Sequence, residues 1–154
     1  MDRLDAGLST KAHDVLRQLK YPVLLYSPRY VLGRIGSEKQ LRVVGEKNFS
    51  DGCFEGVSIV DSSGFKFNVL DARVERWVRS IWSLFPQHRY VWVALDLSEP
   101  KRVELADLKK DLINLMSKNN LYPRAQGIAR SDIDKSIQIP SDFSELIESI
   151  LVFS

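Results

Sequence analysis

Apolar residues recur at helical spacing in three segments of this chain. The first covers residues 10–20, and the longest covers residues 104–118. The third covers residues 142–152, where Asp142 and Glu145 have the spacing of a capping box at the start of a helix. The pattern predicts one helix near the N-terminus and two in the C-terminal part.

Strands are predicted between the first and second of these helices. Residues 23–26 form a short apolar run between two prolines, which favours a buried strand or an extended segment. Residues 30–35 and 41–44 flank a turn that contains glycine, which predicts a hairpin. Residues 90–95 are β-branched, aromatic and nearly continuously apolar, which predicts a central strand.

A second hairpin is predicted from residues 54–60 and 65–70, which flank a turn over residues 61–64. The last residue of that turn is a glycine, which readily adopts a positive φ. The pattern of residues 71–85 is ambiguous. It fits a helix that ends before Pro86, and it also fits a strand that continues into a long loop.

The order of these elements predicts the fold class. Residues 121–140 contain two prolines and a glycine and are predicted to be irregular. Strands and helices are otherwise segregated along the chain, which predicts an α+β fold. We expect a mainly antiparallel, meandering sheet, with the N-terminal helix and two C-terminal helices packed on one face. A chain of 154 residues suits one domain, residues 1–154.

Composition narrows the functional classes. A hydrophobic fraction of 44% and a charged fraction of 27% are ordinary for a globular domain. The net charge of +2 is too small to favour nucleic acid or an anionic membrane as the main partner. No apolar run reaches the ~18 residues that cross a bilayer, and residues 1–20 lack the apolar core of a signal peptide. We therefore expect a cytoplasmic protein without a membrane partner.

The sequence offers no catalytic or metal-binding combination that we recognise. Cys53 with His13 or His88 is the one cysteine–histidine combination, and its surroundings match no protease signature. Asp132 and Asp134 resemble a fragment of a calcium loop, but the further ligands and the turn glycine do not follow. We expect a protein that is not an enzyme and that has no catalytic residue, metal or cofactor.

Arginines and aromatic residues are interleaved between residues 73 and 92. Their combination is typical of surfaces that bind single-stranded nucleic acid, and also of hot spots at protein interfaces. We expect most of the rings to lie in the core and the arginines to be solvated. The arginines proposed to contact a partner are Arg73, Arg76 and Arg79, beside Trp77, Trp82, Tyr90 and Trp92.

The longest predicted helix also carries an acidic strip. Glu104, Asp107 and Asp111 lie within ~60° of one another around the helix axis, on one flank of the apolar stripe. Such a strip is either a solvated helix edge or a contact for a basic partner. Asp132 and Asp134 are candidates for the same contact.

The stretch from Val57 to Phe67 has the form V-D-S-x-G followed by an aromatic strand. It precedes residues 69–72, the strand around Trp92 and the helix start at residues 103–109. This order resembles small bacterial immunity proteins that accompany polymorphic or contact-dependent growth-inhibition toxins, over roughly residues 54–118. The resemblance implies a cytosolic, non-enzymatic inhibitor that binds one cognate toxin tightly, and it transfers no functional residue. The alternative is a small nucleic-acid-binding or regulatory domain that uses residues 73–92.

Overall fold

A computed structural model describes residues 15–28, 30–79, 84–85, 88–118 and 130–150 of the chain. Helix α1 is described over residues 15–18. The other helices are α2 (Glu38–Arg42), α3 (Glu46–Ser50), α4 (Leu105–Lys118), α5 (Arg130–Gln138) and α6 (Phe143–Ser149). The strands are β1 (Val23–Ser27), β2 (Tyr30–Ile35), β3 (Val43–Gly45), β4 (Ser58–Val60), β5 (Phe65–Trp77), β6 (Tyr90–Leu97) and β7 (Lys101–Arg102).

The strands form a curled antiparallel sheet, so the predicted α+β class is confirmed. Their order is β2-β1-β4-β5-β6-β3, and β7 pairs with the start of β5. Strands β4, β5 and β6 form the meander, and the strand predicted at residues 90–95 lies inside the sheet as β6. The strand predicted at residues 23–26 is confirmed as β1.

The predicted hairpin around residues 61–64 is confirmed. Asp61 is buried, and its Oδ1 atom accepts hydrogen bonds from the Ser63 amide at 3.0 Å and the Phe65 amide at 3.1 Å. Gly64 has a φ of 89°, which an L side chain adopts only under strain. An aspartate that binds its own turn amides thus fixes the register of β4 against β5.

The hairpin predicted around residues 36–39 is wrong. Ser37 instead caps helix α2, because its hydroxyl accepts a hydrogen bond from the Gln40 amide. Strand β2 pairs with β1, and β3 pairs with β6. A capping serine therefore starts a helix at a place where the glycine had suggested a turn.

The ambiguous segment 71–85 is a strand up to Trp77, since β5 continues along β6 to that residue. Residues 80–83 and 86–87 lie outside the described residues. The irregular segment predicted over residues 121–140 is wrong in its second half, which contains helix α5. Ile133 and Ile137 are both buried there at a spacing of one helical turn.

The helix predicted over residues 104–118 is confirmed as α4, and the last predicted helix is confirmed as α6. Asp142 caps α6 by accepting a hydrogen bond of 2.8 Å from the Glu145 amide. Residues 10–14 and 151–152 of the predicted helices lie outside the described residues.

Two apolar cores lie on opposite faces of the sheet. Along β1, Val23 and Leu25 belong to one core and Leu24 to the other, as the alternation of strand side chains requires. Helices α1 and α2 pack on the first face, together with the turn after α3. Helices α4, α5 and α6 cover the second face. The helices thus occupy both faces and not one, and the described C-terminal residues contain three helices in place of the predicted two.

Candidate functional site

Strand β5 extends well beyond the strand that pairs with its outer edge. Strand β4 pairs with β5 only at residues 66–68, whereas β5 runs to Trp77. From Leu70 onward, β6 is the only strand that pairs with β5 among the described residues. One edge of this half of β5, which we call the β5 extension (residues 70–77), is therefore unpaired among the described residues.

The β5 extension carries apolar side chains out of the first core into solvent. Ala72 packs against that core, and Val74 and Trp77 pair across the sheet with the buried Val93 and Val91, so they share its face. Yet Val74 is 36% exposed and Trp77 is 55% exposed. The expectation that the rings of this segment lie in the core is therefore wrong for Trp77. The apolar residues around Trp77 have the spacing of a helix, but the segment is a strand that extends beyond β4.

Further apolar side chains are exposed near this end of the sheet. Leu70 at the start of the extension is 68% exposed. Tyr90, at the start of β6, is 44% exposed, and its carbonyl accepts a hydrogen bond from the Val78 amide. Leu84 and Phe85 are exposed in the segment that joins β5 to β6. Several exposed apolar side chains in one strand and in the segment that follows it are typical of surfaces of interaction.

The open edge of the β5 extension is poorly suited to pairing with a further strand. The ladder with β6 is irregular between Val69 and Asp71 and again between Val74 and Arg76. Such bulges bend and twist a strand, and charged side chains along an edge oppose pairing with another chain. The apolar face of the extension is therefore the surface that a partner can use, and not its edge.

The opposite face of the extension is occupied by the chain itself. The guanidinium groups of Arg42 and Arg76 lie 5.4 and 4.5 Å from the centre of the Trp92 ring. Arg42 is buried, donates a hydrogen bond to the Val93 carbonyl and forms ion pairs with Glu38 and Glu75. The Trp92 ring thus contacts two arginines of the chain itself and has a structural role.

Carboxylates neutralise several arginines of this region. Arg73 forms an ion pair of 3.2 Å with Asp96, and Arg89 lies 4.0 Å from Glu46. Arg79 is exposed. Of the arginines predicted to contact a partner, Arg73 and Arg76 lie in the β5 extension and Arg79 follows it. Arg73 and Arg76 already have partners within the chain.

A cavity of about 260 Å³ lies at the base of the β5 extension, where the turn after α3 meets β5. Apolar side chains and glycines form its walls, and the two charged residues on its lining are Glu55 and Asp71. No sequence signal marked this cavity, because its two sides are separated by the whole β4–β5 hairpin. The lining residues are Phe49, Gly52, Phe54, Glu55, Gly56, Val69, Leu70, Asp71 and Ala72.

The acidic strip of α4 is exposed, as its position beside the apolar stripe requires. Leu108, Leu112 and Met116 form the buried face of the helix, and Glu104, Asp107 and Asp111 are all exposed. Asp111 also lines a second cavity of about 320 Å³ together with Lys66 and Lys118. These two ammonium groups offset part of the negative potential at that end of the strip.

Asp132 and Asp134 lie at the start of α5. Lys109 donates a hydrogen bond of 2.8 Å to the Gln138 carbonyl at the end of α5. Lys109 is about 160° from Asp107 around the axis of α4, which places the end of α5 on the flank opposite the acidic strip. The end of α5 is therefore separated from the acidic strip.

Cys53 and His88 were considered for catalysis, and both lie in the part of the chain that the structure describes. Cys53 is half-buried in the turn after α3, not at the start of a strand, and burial raises the pKa of its thiol. The ring of His88 contacts that of Phe85 edge to face at 6.4 Å. His13 and Trp82 lie outside the described residues. Within the described ranges, no three His, Cys, Asp or Glu residues are placed to hold a metal ion.

None of the described helices has the length and apolarity needed to cross a membrane. The chain matches no protein-family model, and searches of curated proteins and of solved structures find no similar protein. The β5 extension, its basal cavity and the acidic strip of α4 are therefore judged on their geometry and chemistry alone.

Proposed function

We propose that this chain is a non-enzymatic, immunity-type protein that acts in the cytoplasm and neutralises a cognate bacterial toxin by tight binding. The observation that carries the proposal is the exposed apolar face of the β5 extension. Trp77 and Val74 continue the sheet face of the first core but have no covering element among the described residues. A large ring on a rigid strand is a suitable anchor for a protein partner, because little conformational entropy is lost when it becomes buried.

The order of elements supports the immunity type. The β4–β5 hairpin, the strand that contains Trp92 and the helix α4 follow one another in the order on which the resemblance rests. Inhibition of a lethal toxin requires a dissociation constant near nanomolar, or about −12 kcal/mol of binding free energy. A few buried anchors supply most of such an affinity, and the surrounding contacts exclude water.

The decisive experiment first identifies a gene for a toxin domain beside this chain's gene and then uses that domain as the partner. We expect coexpression with the chain to protect cells, and the purified proteins to form a stable complex. Trp77→Ala should weaken that complex by about 2 kcal/mol, roughly thirtyfold, because it removes the central anchor. Calorimetric titration measures the affinity, and growth during coexpression measures protection.

Ile139→Ala is the matched control for this experiment. Ile139 is 76% exposed, so the variant deletes an equally accessible apolar side chain from the segment between α5 and α6. Its affinity should stay within about threefold of that of the unmodified chain. A chain that neither binds nor protects against this toxin would overturn the proposal. Equal effects of Trp77→Ala and Ile139→Ala on affinity would show that the β5 extension is not the binding surface.

The second candidate is binding of single-stranded nucleic acid through the same segment. The exposed Trp77 ring lies in a region that includes Arg76 and Arg79, and bases stack on such rings. The ion pairs of Arg73 and Arg89 count against it, since they reduce the positive potential that attracts phosphates. Sub-micromolar binding of RNA or DNA that persists at about 150 mM salt would place this candidate above the inhibitor.

A further inference from the structure

The cavity at the base of the β5 extension combines apolar walls with two carboxylates. The rings of Phe49 and Phe54 line one side, and Val69 and Leu70 of β5 line the other. Glu55 and Asp71 are the charged residues of the lining, and both are exposed. A cavity of this composition fits a group that is apolar along its length and cationic at its end.

No ion pair neutralises either carboxylate within the part of the chain that the structure describes. Among the described residues, neither Glu55 nor Asp71 has a side-chain hydrogen bond or an ion pair, whereas Asp96, which pairs with Asp71 across the sheet, has an ion pair with Arg73. The Glu55 carboxylate folds over Gly52, where a Cβ atom would lie 3.1 Å from Oε2. Among the described residues that line the cavity, two are negatively charged and none is positively charged.

We infer that this cavity binds an arginine side chain of the protein partner. The methylene stem of arginine packs on apolar surface, and its planar guanidinium can stack on an aromatic ring while it donates hydrogen bonds to carboxylates. Charge-assisted bonds of this kind are about twice as strong as neutral ones. A purely apolar side chain would leave both carboxylates without partners, so it suits the cavity less well.

The position of the cavity agrees with this occupant. Leu70 and Ala72 belong both to the cavity lining and to the β5 extension, so one partner surface can cover the cavity and Trp77 together. Arginine and tryptophan are the residues most enriched among interface hot spots. The inference rests on the proposed function and adds to it the chemistry that the partner must present.

The cavity can be tested without the partner. N-acetyl-arginine methylamide is titrated into isotope-labelled full-length protein, and the amide resonances of Gly56, Leu70 and Asp71 are followed. We expect these resonances to shift, and the norleucine analogue, which keeps the stem but lacks the charge, to bind about tenfold more weakly. The lysine analogue should bind with intermediate affinity, because its ammonium lacks the planar fork. Equal binding of the arginine and norleucine compounds, or shifts spread over other surfaces, would overturn the inference.

Two pairs of variants separate this inference from the proposed function. The Glu55→Gln/Asp71→Asn double variant should lose about tenfold in affinity for the arginine compound and for the toxin. Glu99→Gln/Glu148→Gln makes the same change of charge at exposed positions elsewhere and should bind the arginine compound as the unmodified chain does. If the toxin binds with full affinity to the first double variant, the cavity inference fails while the inhibitor proposal stands. If the arginine compound binds but the toxin does not, the inhibitor proposal fails while the charge preference of the cavity stands.

Discussion

Arg42 of helix α2 and Glu75 of strand β5 form an ion pair that spans strand β6. The Arg42 side chain is only 9% exposed. Its Nε atom donates a hydrogen bond to the Val93 carbonyl of β6, and its Nη2 atom forms the ion pair with Glu75. Glu75 lies where the register of β5 against β6 shifts. The ion pair therefore connects the irregular part of the β5 extension to helix α2.

Arg42→Met should lower the free energy of unfolding by about 3 kcal/mol. The substitution keeps the apolar stem but removes the guanidinium, so the ion pair with Glu75 and the hydrogen bond to the Val93 carbonyl are both lost. Urea unfolding followed by tryptophan fluorescence measures the change. Arg73→Gln is the control: its ion pair with Asp96 is exposed, so the loss should stay below about 1 kcal/mol. Equal losses in the two variants would mean that Arg42 contributes no more than a surface charge.

The sequence predicts those features whose interacting residues are close together in the chain, and it does not predict those whose residues are far apart. The turn at Asp61 and the capped helix at Asp142 are local, and the sequence predicts both. Ser37 carries a local signal too, but the glycine before it favoured a hairpin instead. The partner of Arg42 is 33 residues away, and no local pattern identifies it.

The candidate site was predicted less well than the fold. Trp77 has apolar neighbours at helical spacing, which favoured a buried helix face, and only the pairing of β5 with β6 makes it part of an exposed strand. The basal cavity joins Phe49 to Leu70 across the whole β4–β5 hairpin, a relationship that exists only in the folded chain. The acidic strip of α4 depends on one helix alone, and its exposure agrees with the sequence.

Gly64→Ala should destabilise the protein by about 2–4 kcal/mol. The residue has a φ of 89°, and an added Cβ atom would lie 2.6 Å from Cε2 of Phe143 in helix α6. In a Phe143→Ala background the steric part of this cost should disappear, so that Gly64→Ala costs about 1 kcal/mol less. Urea unfolding of the four chains in this cycle measures the coupling.

Gly45→Ala is the control for this cycle. Gly45 has a φ of −62°, and a Cβ atom there would approach no closer than 3.6 Å to the Asn48 amide. Its stability should stay within about 0.5 kcal/mol of the unmodified chain. Strict additivity of the two losses in unfolding free energy would show that the Phe143 ring moves away from the added Cβ atom without a loss of stability.

The Cys53 thiol should react slowly with Ellman's reagent at neutral pH. Burial raises its pKa, so at a given pH the folded chain holds less thiolate, the reactive form, than the unfolded chain. The rate should rise with pH and reach its plateau at a higher pH in the folded protein than in urea. Rapid stoichiometric labelling of the folded chain at neutral pH would instead indicate an activated nucleophile.

Reversal of the acidic strip tests whether charge on α4 steers the toxin. The Glu104→Lys/Asp107→Lys/Asp111→Lys variant should fold normally, because all three side chains are exposed and the buried face of α4 is unchanged. Its association with the toxin should be slower by about tenfold or more at low salt, and its protection in coexpression should be lost. Stopped-flow measurement of the association rate provides the test.

The three positions should not contribute equally to this effect. Lys66 and Lys118 line the cavity beside Asp111 and offset its charge, so Asp111→Lys alone should slow association less than Asp107→Lys alone. Salt serves as the internal control, because screening should slow the unmodified chain towards the rate of the triple variant. If the triple variant folds, associates and protects as the unmodified chain does, the strip is only a solvated helix edge. Binding would then depend on the β5 extension alone, and the loss caused by Trp77→Ala should appear in the dissociation rate.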